Sequence, residues 1–466
     1  MKTVIIGAGP AGLTAAYELS RRNLSVTVLE KEDDVGGIAK TIDYKGYKFD
    51  LGGHRFFTKI SPVMELWLKI MGDKFLIRQR LSRIYYKGKF FSYPLKLANV
   101  IMNLGVIESF LIFISYVHAK ISPYPREDSF EEYIVNRFGS RLYRMFFKSY
   151  TEKVWGIPCT EIKSEWAAQR ITGMSLTSVL KTTFLGNRNN KIKSLIEQFH
   201  YPREGPGQLW NIMKNEVKKN GGDVLLKQRV TSIKIDGNMV TSLRTDEGSV
   251  YAADQFINTM PLRDLIESMT PTPPNEVIAA AKKLKYRDFI TVALITEKES
   301  IWPDNWLYIH DRKYRVGRIQ NYKNWSPYMV PDEKKSCIGM EYFAFEGDDL
   351  WTMKDERLID LATEELLGLS LISDKSLVTD GKVVRVEKTY PVYDLLYLEN
   401  LKTVKDYLGG ISNLSTIGRN GMHRYNNMDH SMLTAILDVD NLMGAHHDLW
   451  QVNAEQEYLE TEKNQG

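Results

Sequence analysis

Met1–Glu30, MKTVIIGAGPAGLTAAYELSRRNLSVTVLE, constrains the fold of this chain more than any other stretch. Thr3 to Ile6 is a short apolar run that reads as a buried parallel strand. Gly7-Ala8-Gly9-Pro10-Ala11-Gly12 follows at once. Leu13 to Arg22 has helical spacing, and Leu24 to Leu29 reads as a second strand ending on Glu30. Strand, glycine turn, helix and strand in this order make a dinucleotide fingerprint of a GxGxxG that alone would say little. Gly7 permits the tight turn, Gly9 lets backbone approach a pyrophosphate, and Gly12 lets helix and strand pack closely. The helix N-terminus offers N–H groups and the positive end of its dipole to phosphate. Glu30 can accept hydrogen bonds from a ribose diol, and its charge disfavours a 2′-phosphate.

The 466 residues, 43% hydrophobic and 26% charged, suffice for two or more packed domains. A net charge of +4 without a long Lys/Arg block argues against nucleic acid and suits an anionic small substrate. Cys159 and Cys337 are the only cysteines. They provide no disulfide framework or metal cluster, and a reducing cytoplasm is the expected setting. The apolar start resembles a signal peptide, but the glycine fingerprint accounts for it better. Val100 to Val117 is the most apolar later stretch. Asn103, Gly105 and Glu108 interrupt it, which argues against a membrane span. A buried helix and an interfacial helix in peripheral contact with a membrane both remain open.

Further along, paired glycines recur at Gly36-Gly37 and Gly52-Gly53, where backbone can lie against something flat. Thr41 to Phe49 reads as a hairpin. From about Ser61 to His200 the pattern is mainly helical, and Tyr201 to Gln208 reads as a loop. Val224 to Ala252 alternates as a small antiparallel sheet, and Gln255 to Asn258 returns to the first sheet. Leu262 to Tyr286 is largely helical, and strands follow from Phe289 to Ala344 and at Lys382–Tyr390. Leu414 to Ile417 is the last strand before a helix over 430–443. The expectation is an α/β protein with a discontinuous Rossmann-like cofactor domain over 1–80, 201–261 and 385–466. A helical insertion would span 81–200, and a substrate domain of antiparallel sheet and helices 262–384.

GAGPAG, Glu30, Gly36-Gly37 and Gly52-Gly53-His54 together resemble the FAD-dependent amine-oxidase-type superfamily. Several segments are similar to UDP-galactopyranose mutases. They are Lys153-Val154-Trp155-Gly156-Ile157-Pro158 with Trp166 and Arg170, Arg315 to Tyr328, Thr389-Tyr390-Pro391, Gly418-Arg419 and Tyr425 to Ser431. The resemblance implies a cofactor domain of the GR2 type that binds FAD. It also implies a reaction in which N5 of the reduced flavin attacks the anomeric carbon of a nucleotide sugar and displaces UDP, for pyranose–furanose interconversion. NAD(P)H is then an available reductant, and cell-surface polysaccharide synthesis the implied context. The alternative is a redox flavoenzyme of the amine, protoporphyrinogen or carotenoid oxidase or desaturase type.

The resemblance places Gly7, Gly9, Ala11, Gly12, Glu30, Lys31, Gly36, Gly37, Gly53 and His54 along FAD. Gly418 and Arg419 lie over its pyrophosphate, and Asn427, Met428 and Ser431 open a helix toward the flavin. Arg170 and Arg318, with planar forks of donors, would grip the substrate diphosphate. With His54 they form the expected catalytic set, and Tyr322, Tyr390 and Tyr425 would touch substrate. Each has a plainer reading: surface ion pairs for the arginines, packed aromatics for the tyrosines, a structural imidazole for His54. Trp166, Trp306 and Trp325 suit stacking on uracil or core packing equally. Asp429 and Ser431 could merely cap their helix. His446-His447 read as a solvated helix end, and no metal site is expected.

Overall fold

The computed structural model describes residues 1–93, 95, 97–171 and 198–453. The strand Lys2–Ile6 lies at the centre of a five-stranded parallel sheet. Its order is Leu414–Thr416, Gln255–Asn258, Lys2–Ile6, Ser25–Leu29 and Asp223–Leu225. A parallel sheet must be covered on both faces, and period-2 alternation divides its side chains between two cores. Ile5, Val28 and Ile257 point to one core, under the helices Pro10–Arg21, Gly207–Lys219 and Met428–Leu442. Val4, Ile6, Leu29 and Phe256 point to the other. There they meet Leu262–Glu267, Asn275–Lys283, Tyr397–Leu408 and a four-stranded sheet built on Val230–Asp236 and Met239–Thr245.

The second large unit is a seven-stranded sheet. Tyr286–Thr296 and Ser336–Ala344 are buried at every residue, as strands covered on both faces must be. Asp355–Gly368 covers one face. The helices Phe130–Phe138, Ser149–Trp155 and Ser164–Ile171 cover part of the other.

Three expectations are corrected. The stretch 61–200 is not uniformly helical: Phe75–Gln79, Ser82–Tyr86 and Lys89–Ser92 are strands. The last two extend the seven-stranded sheet, Ser82–Tyr86 pairing in parallel with Trp306–Ile309. Alternating Arg, Tyr and Lys there hide a strand pair whose inner face carries Ile84, Phe91 and the half-buried Tyr86. Asp223–Leu225 joins the parallel sheet beside Ser25–Leu29 instead of the antiparallel one. His200, expected to end the helical stretch, and Tyr201, expected to open a loop, both belong to the strand Gln198–Pro202, paired with Phe75–Gln79.

Trp67 ties these parts together on the cofactor side. Its fully buried ring stacks on Phe56 at 4.1 Å and Phe75 at 5.2 Å and meets Trp210 edge-on. Its indole N–H donates to Met432 Sδ at 3.1 Å. Trp67→Ala is expected to lower unfolding free energy by about 3–5 kcal/mol in a denaturant titration. A loss below about 1 kcal/mol would show that this aromatic cluster contributes little to holding its core.

Candidate functional site

A cavity of about 880 Å³ runs from the glycine turn into the face of the seven-stranded sheet. It lies near the upper end of ordinary ligand pockets, about 300–1,000 Å³. At one end, Gly7 has a φ of +96°, and its N–H donates to Leu29 O at 2.8 Å. A Cβ on Gly12 would lie 1.9 Å from Gly7 O, so Gly12 acts in helix–strand packing and stays off the cavity wall. Gly36-Gly37 crosses over the turn: Gly36 N–H donates to Ala8 O at 2.8 Å. A Cβ on Gly37 would stand 3.2 Å from Gly9 Cα. Gly36, with a φ of +103°, also sits outside the lining, against Trp210. Glu30 is buried and accepts from Ala8 N–H at 2.6 Å and Glu32 N–H at 3.0 Å. Lys31, Gln228 and Val230 line the same end. Pro10 opens the helix behind Gly9, whose first-turn N–H groups have no intrahelical partner.

The other end is built by Gly52-Gly53-His54-Arg55 against Arg318 and Gln320. A Cβ on Gly52 would sit 3.6 Å from Arg318 Nη2, and one on Gly53 3.0 Å from Gln320 Nε2. Beneath them Glu341, with no exposed surface, accepts from Arg318 Nε and, at 2.8 Å, from Gln320 Nε2. Burial alone would lower the Arg318 pKa, but Glu341 raises it well above the ordinary value, so the guanidinium stays charged. His54 is pushed down to about 3 by burial and then by Arg419 and Arg318, so its imidazole is neutral. Among the described residues its buried Nδ1 and Gln320 Oε1 have no hydrogen-bond partner.

The third wall comes from the end of the chain. Gly418, with a φ of +83°, would place a Cβ 2.9 Å from Ala11 Cβ. Arg419 donates to Asn426 O at 2.8 Å and Thr389 O at 3.1 Å. Its guanidinium lies 4.6 Å from the Tyr425 ring and 5.5 Å from Tyr390. Those two rings stack at 5.6 Å. Burial pushes the Tyr390 hydroxyl up to about 12. The helix Met428–Leu442 starts here, and Met428 and Ser431 line the cavity with Asn427. Asn427 occupies the cap, not Asp429 or Ser431, and its N–H donates to His430 Nδ1 at 3.3 Å.

Tyr322 must be withdrawn from the substrate contacts. It is buried away from the cavity, and its hydroxyl donates to Asp50 O at 2.8 Å while its ring packs on Gly339. It serves a structural knot in which Asp50, its pKa raised to about 7 by burial, accepts from Tyr201 at 2.6 Å and Thr41 at 2.9 Å. Arg170 lies on the helix Ser164–Ile171, and its side chain falls outside the described residues. The Lys153–Pro158 segment is architectural. Lys153 Nζ donates to the carbonyls of Ile309, Asp311, Tyr314 and Val316. Trp155 is fully buried, and Gly156 packs on Arg287. Trp166 meets Trp155 edge-on in that core, whereas Trp306 and Trp325 line the cavity. Arg55, Tyr308, Gln320 and Glu341 were not singled out from sequence. Only Arg55, adjoining Gly52-Gly53-His54, carried a local signal.

The parallel sheet, glycine turn and buried acid define a dinucleotide-binding protein, with a second domain closing over the far end of the cavity. A family model for flavin containing amine oxidoreductases matches residues 10–379. The chain belongs to this family, and FAD is its cofactor. Its fold is shared by reduced UDP-galactopyranose mutase, whose crystal structure superposes with a TM-score of 0.86 at 23% identity over 98% of each chain. A putative protoporphyrinogen oxidase from Exiguobacterium sp. 255-15 superposes at 0.73, with 16% identity over 95% of this chain and 98% of that one. Among curated proteins, 1-hydroxycarotenoid 3,4-desaturase of Flavobacterium sp. (strain P99-3) is 24% identical over 267 residues, covering 53% of this chain and 54% of its own. Phytoene desaturase (lycopene-forming) of Pantoea ananas is 23% identical over 274 residues, covering 53% of each. The chain thus spans about half the length of these curated relatives.

The cradle fits FAD. Gly9, Gly37 and Gly418 leave room that any Cβ would narrow, and Glu30 stands where a ribose would reach it. Glu30→Ala removes a charged acceptor worth about 1.5–3 kcal/mol. FAD affinity, measured by reconstitution of the stripped protein, is expected to fall roughly tenfold to a hundredfold. Unchanged affinity would place the ribose elsewhere.

Proposed function

We propose that the protein is a reduced-flavin mutase that interconverts pyranose and furanose forms of a UDP-hexose. One observation carries this reading. The chamber beyond the flavin cradle is lined by Arg55, Arg318, Gln320 and Arg419 among Tyr308, Tyr390, Tyr425, Trp306 and Trp325. A carotenoid-like substrate would call for an apolar chamber; guanidinium groups among aromatic rings suit a diphosphate and a base. The whole-chain superposition on the mutase supports the same choice.

When bound, reduced flavin supplies an electron-rich ring nitrogen as nucleophile. The protein's own residues do the rest. Arg318, with Nε engaged by Glu341, keeps its terminal nitrogens for the substrate diphosphate. Holding both leaving oxygens and sugar in one geometry lowers the entropic part of the barrier. Neutral His54 adds no charge beside the flavin. The N-terminus of Met428–Leu442 turns its dipole toward the cavity, which favours an anionic reduced ring. Tyr390 and Tyr425, stacked under Arg419, close the wall against water. Isomerisation consumes no reductant, so dithionite or NAD(P)H would only prime the cofactor.

The second reading is an oxidase or desaturase, favoured by the two carotenoid desaturases among the curated relatives. Dithionite-reduced protein is expected to equilibrate UDP-galactopyranose with its furanose form, seen by chromatography, and the oxidised protein not to. Steady oxygen consumption without ring isomerisation of any UDP-hexose would favour the second reading. Arg318→Ala is expected to weaken UDP binding by roughly tenfold to a hundredfold in calorimetry and to leave FAD bound. Equal UDP affinity in the variant would remove Arg318 from the substrate site.

A further inference from the structure

Val100 to Val117 forms neither one helix nor a buried one. The chain turns at Gly105, where φ is +85°, between helices Leu97–Leu104 and Val106–Ile121, which are bent by 119°. The inner face of the second helix is anchored. Ile112, Tyr116 and Ala119 are buried, and a Cβ on Gly139 would lie 2.7 Å from Tyr116 N. The outer face carries Val106, Ile107, Phe110, Phe113, Ile114 and Val117, which recur at helical spacing and are all exposed. At the corner Met102 is 82%, Val106 77% and Ile107 80% exposed, and Ile121 at the far end of the helix is 79% exposed. An apolar face this continuous marks a contact surface.

The charges around it name the partner. From Lys87 to Ile121 the chain has four lysines and one acid, Glu108, so three of the four excess positive charges of the whole chain fall in this segment. Glu108 is neutralised by a two-pronged pair with Arg141, at 2.5 and 2.8 Å. Lys87 and Lys89 are exposed beside the corner, Lys89 Nζ donating to Asn103 O at 2.5 Å, whereas Lys120 turns toward the inner face and donates to Asn136 O at 2.8 Å. We propose that this helical corner docks on an anionic lipid surface, Met102, Val106, Ile107 and Phe110 entering the acyl boundary with Lys87 and Lys89 beside the headgroup phosphates. Sixteen residues of helix span only about 24 Å, short of the roughly 30 Å hydrocarbon core. Among the described residues no single helix is long and apolar enough to cross; Ala98–Leu104 and Val106–Ile121 together have the length and composition of a span, but they are bent by 119° and the second is packed against the protein through Ile112, Tyr116 and Ala119. That anchoring favours a corner lying in the interface over one that crosses. A second copy of the chain is the poorer partner, because a two-fold pairing of this face would bring its lysines together. Just past the strand Lys89–Ser92 that feeds the pair, the ring of Tyr93 lies 4.9 Å from that of Tyr308, which lines the cavity.

Flotation of the full chain with vesicles tests this, using phosphatidylcholine alone and with added phosphatidylglycerol, at low and high salt. The protein is expected to float with the anionic vesicles, less at high salt and less with phosphatidylcholine alone. The double variant Ile107→Glu, Phe110→Glu should lower vesicle partitioning at least about tenfold, because it removes two apolar side chains from the acyl boundary. Its melting temperature and flavin-to-protein absorbance ratio should match those of the parent, which separates lost docking from lost folding. Absence of flotation, or flotation unaltered in a folded variant, overturns the proposal. So does a lipid-free dimer that the variant turns into monomer, because a second copy then covers the face.

Discussion

The structure depends on two stretches of backbone that touch because neither has a side chain at the crossing. Gly9 and Gly37 approach closely enough that a Cβ on the latter would stand 3.2 Å from the former's Cα. The contact is held from both sides. Gly36 N–H donates to Ala8 O, and Ala8 N–H donates to Glu30. Glu30 therefore holds the turn and stands at the cavity with its charge half satisfied. Removing such a buried acceptor leaves two N–H groups short of partners, so cofactor binding and local folding draw on one group. Around this crossing the parallel sheet divides its side chains between two cores, which fixes the turn at the sheet's carboxyl edge, where ligands of such sheets bind.

The far end of the cavity follows a different logic. Its charge is organised from below, by Glu341 on a strand buried at every position. A carboxylate without solvent is tolerated there because Arg318 and Gln320 both donate to it. Gly52 and Gly53 then let the opposing loop lie on those two side chains without a side chain of its own. Glycine thus serves one purpose at both ends: it brings backbone within reach of a group that must stay exposed to a ligand.

Much of the cofactor end was legible in sequence because its signals are local. The turn, both flanking strands and the acid all fall within thirty consecutive residues, and each has a period or a residue type that only one local structure satisfies. The substrate end was less legible because its parts meet only through the fold. Nothing near Glu341 in sequence indicates that Arg318 will rest on it, and nothing near Gln320 indicates Gly53. Tyr322 misled for the same reason: it lies four residues from Arg318, but the chain has left the strand Arg318–Asn321 there, and its hydroxyl turns to Asp50. The strands Ser82–Tyr86 and Lys89–Ser92 were hidden because Arg83, Lys89 and tyrosines break the apolar alternation. At Val100–Val117 hydrophobicity alone did not separate a core helix from one facing outward, and the corner at Gly105 decided it.

The central claim is that a flavin ring and a diphosphate-gripping guanidinium share one chamber. Adding UDP to the oxidised, FAD-loaded protein and recording the difference absorption spectrum tests it most directly. A saturable shift of the flavin bands is expected as UDP fills the chamber. A protein that carries FAD and shows an unchanged flavin spectrum at every UDP concentration would contradict it.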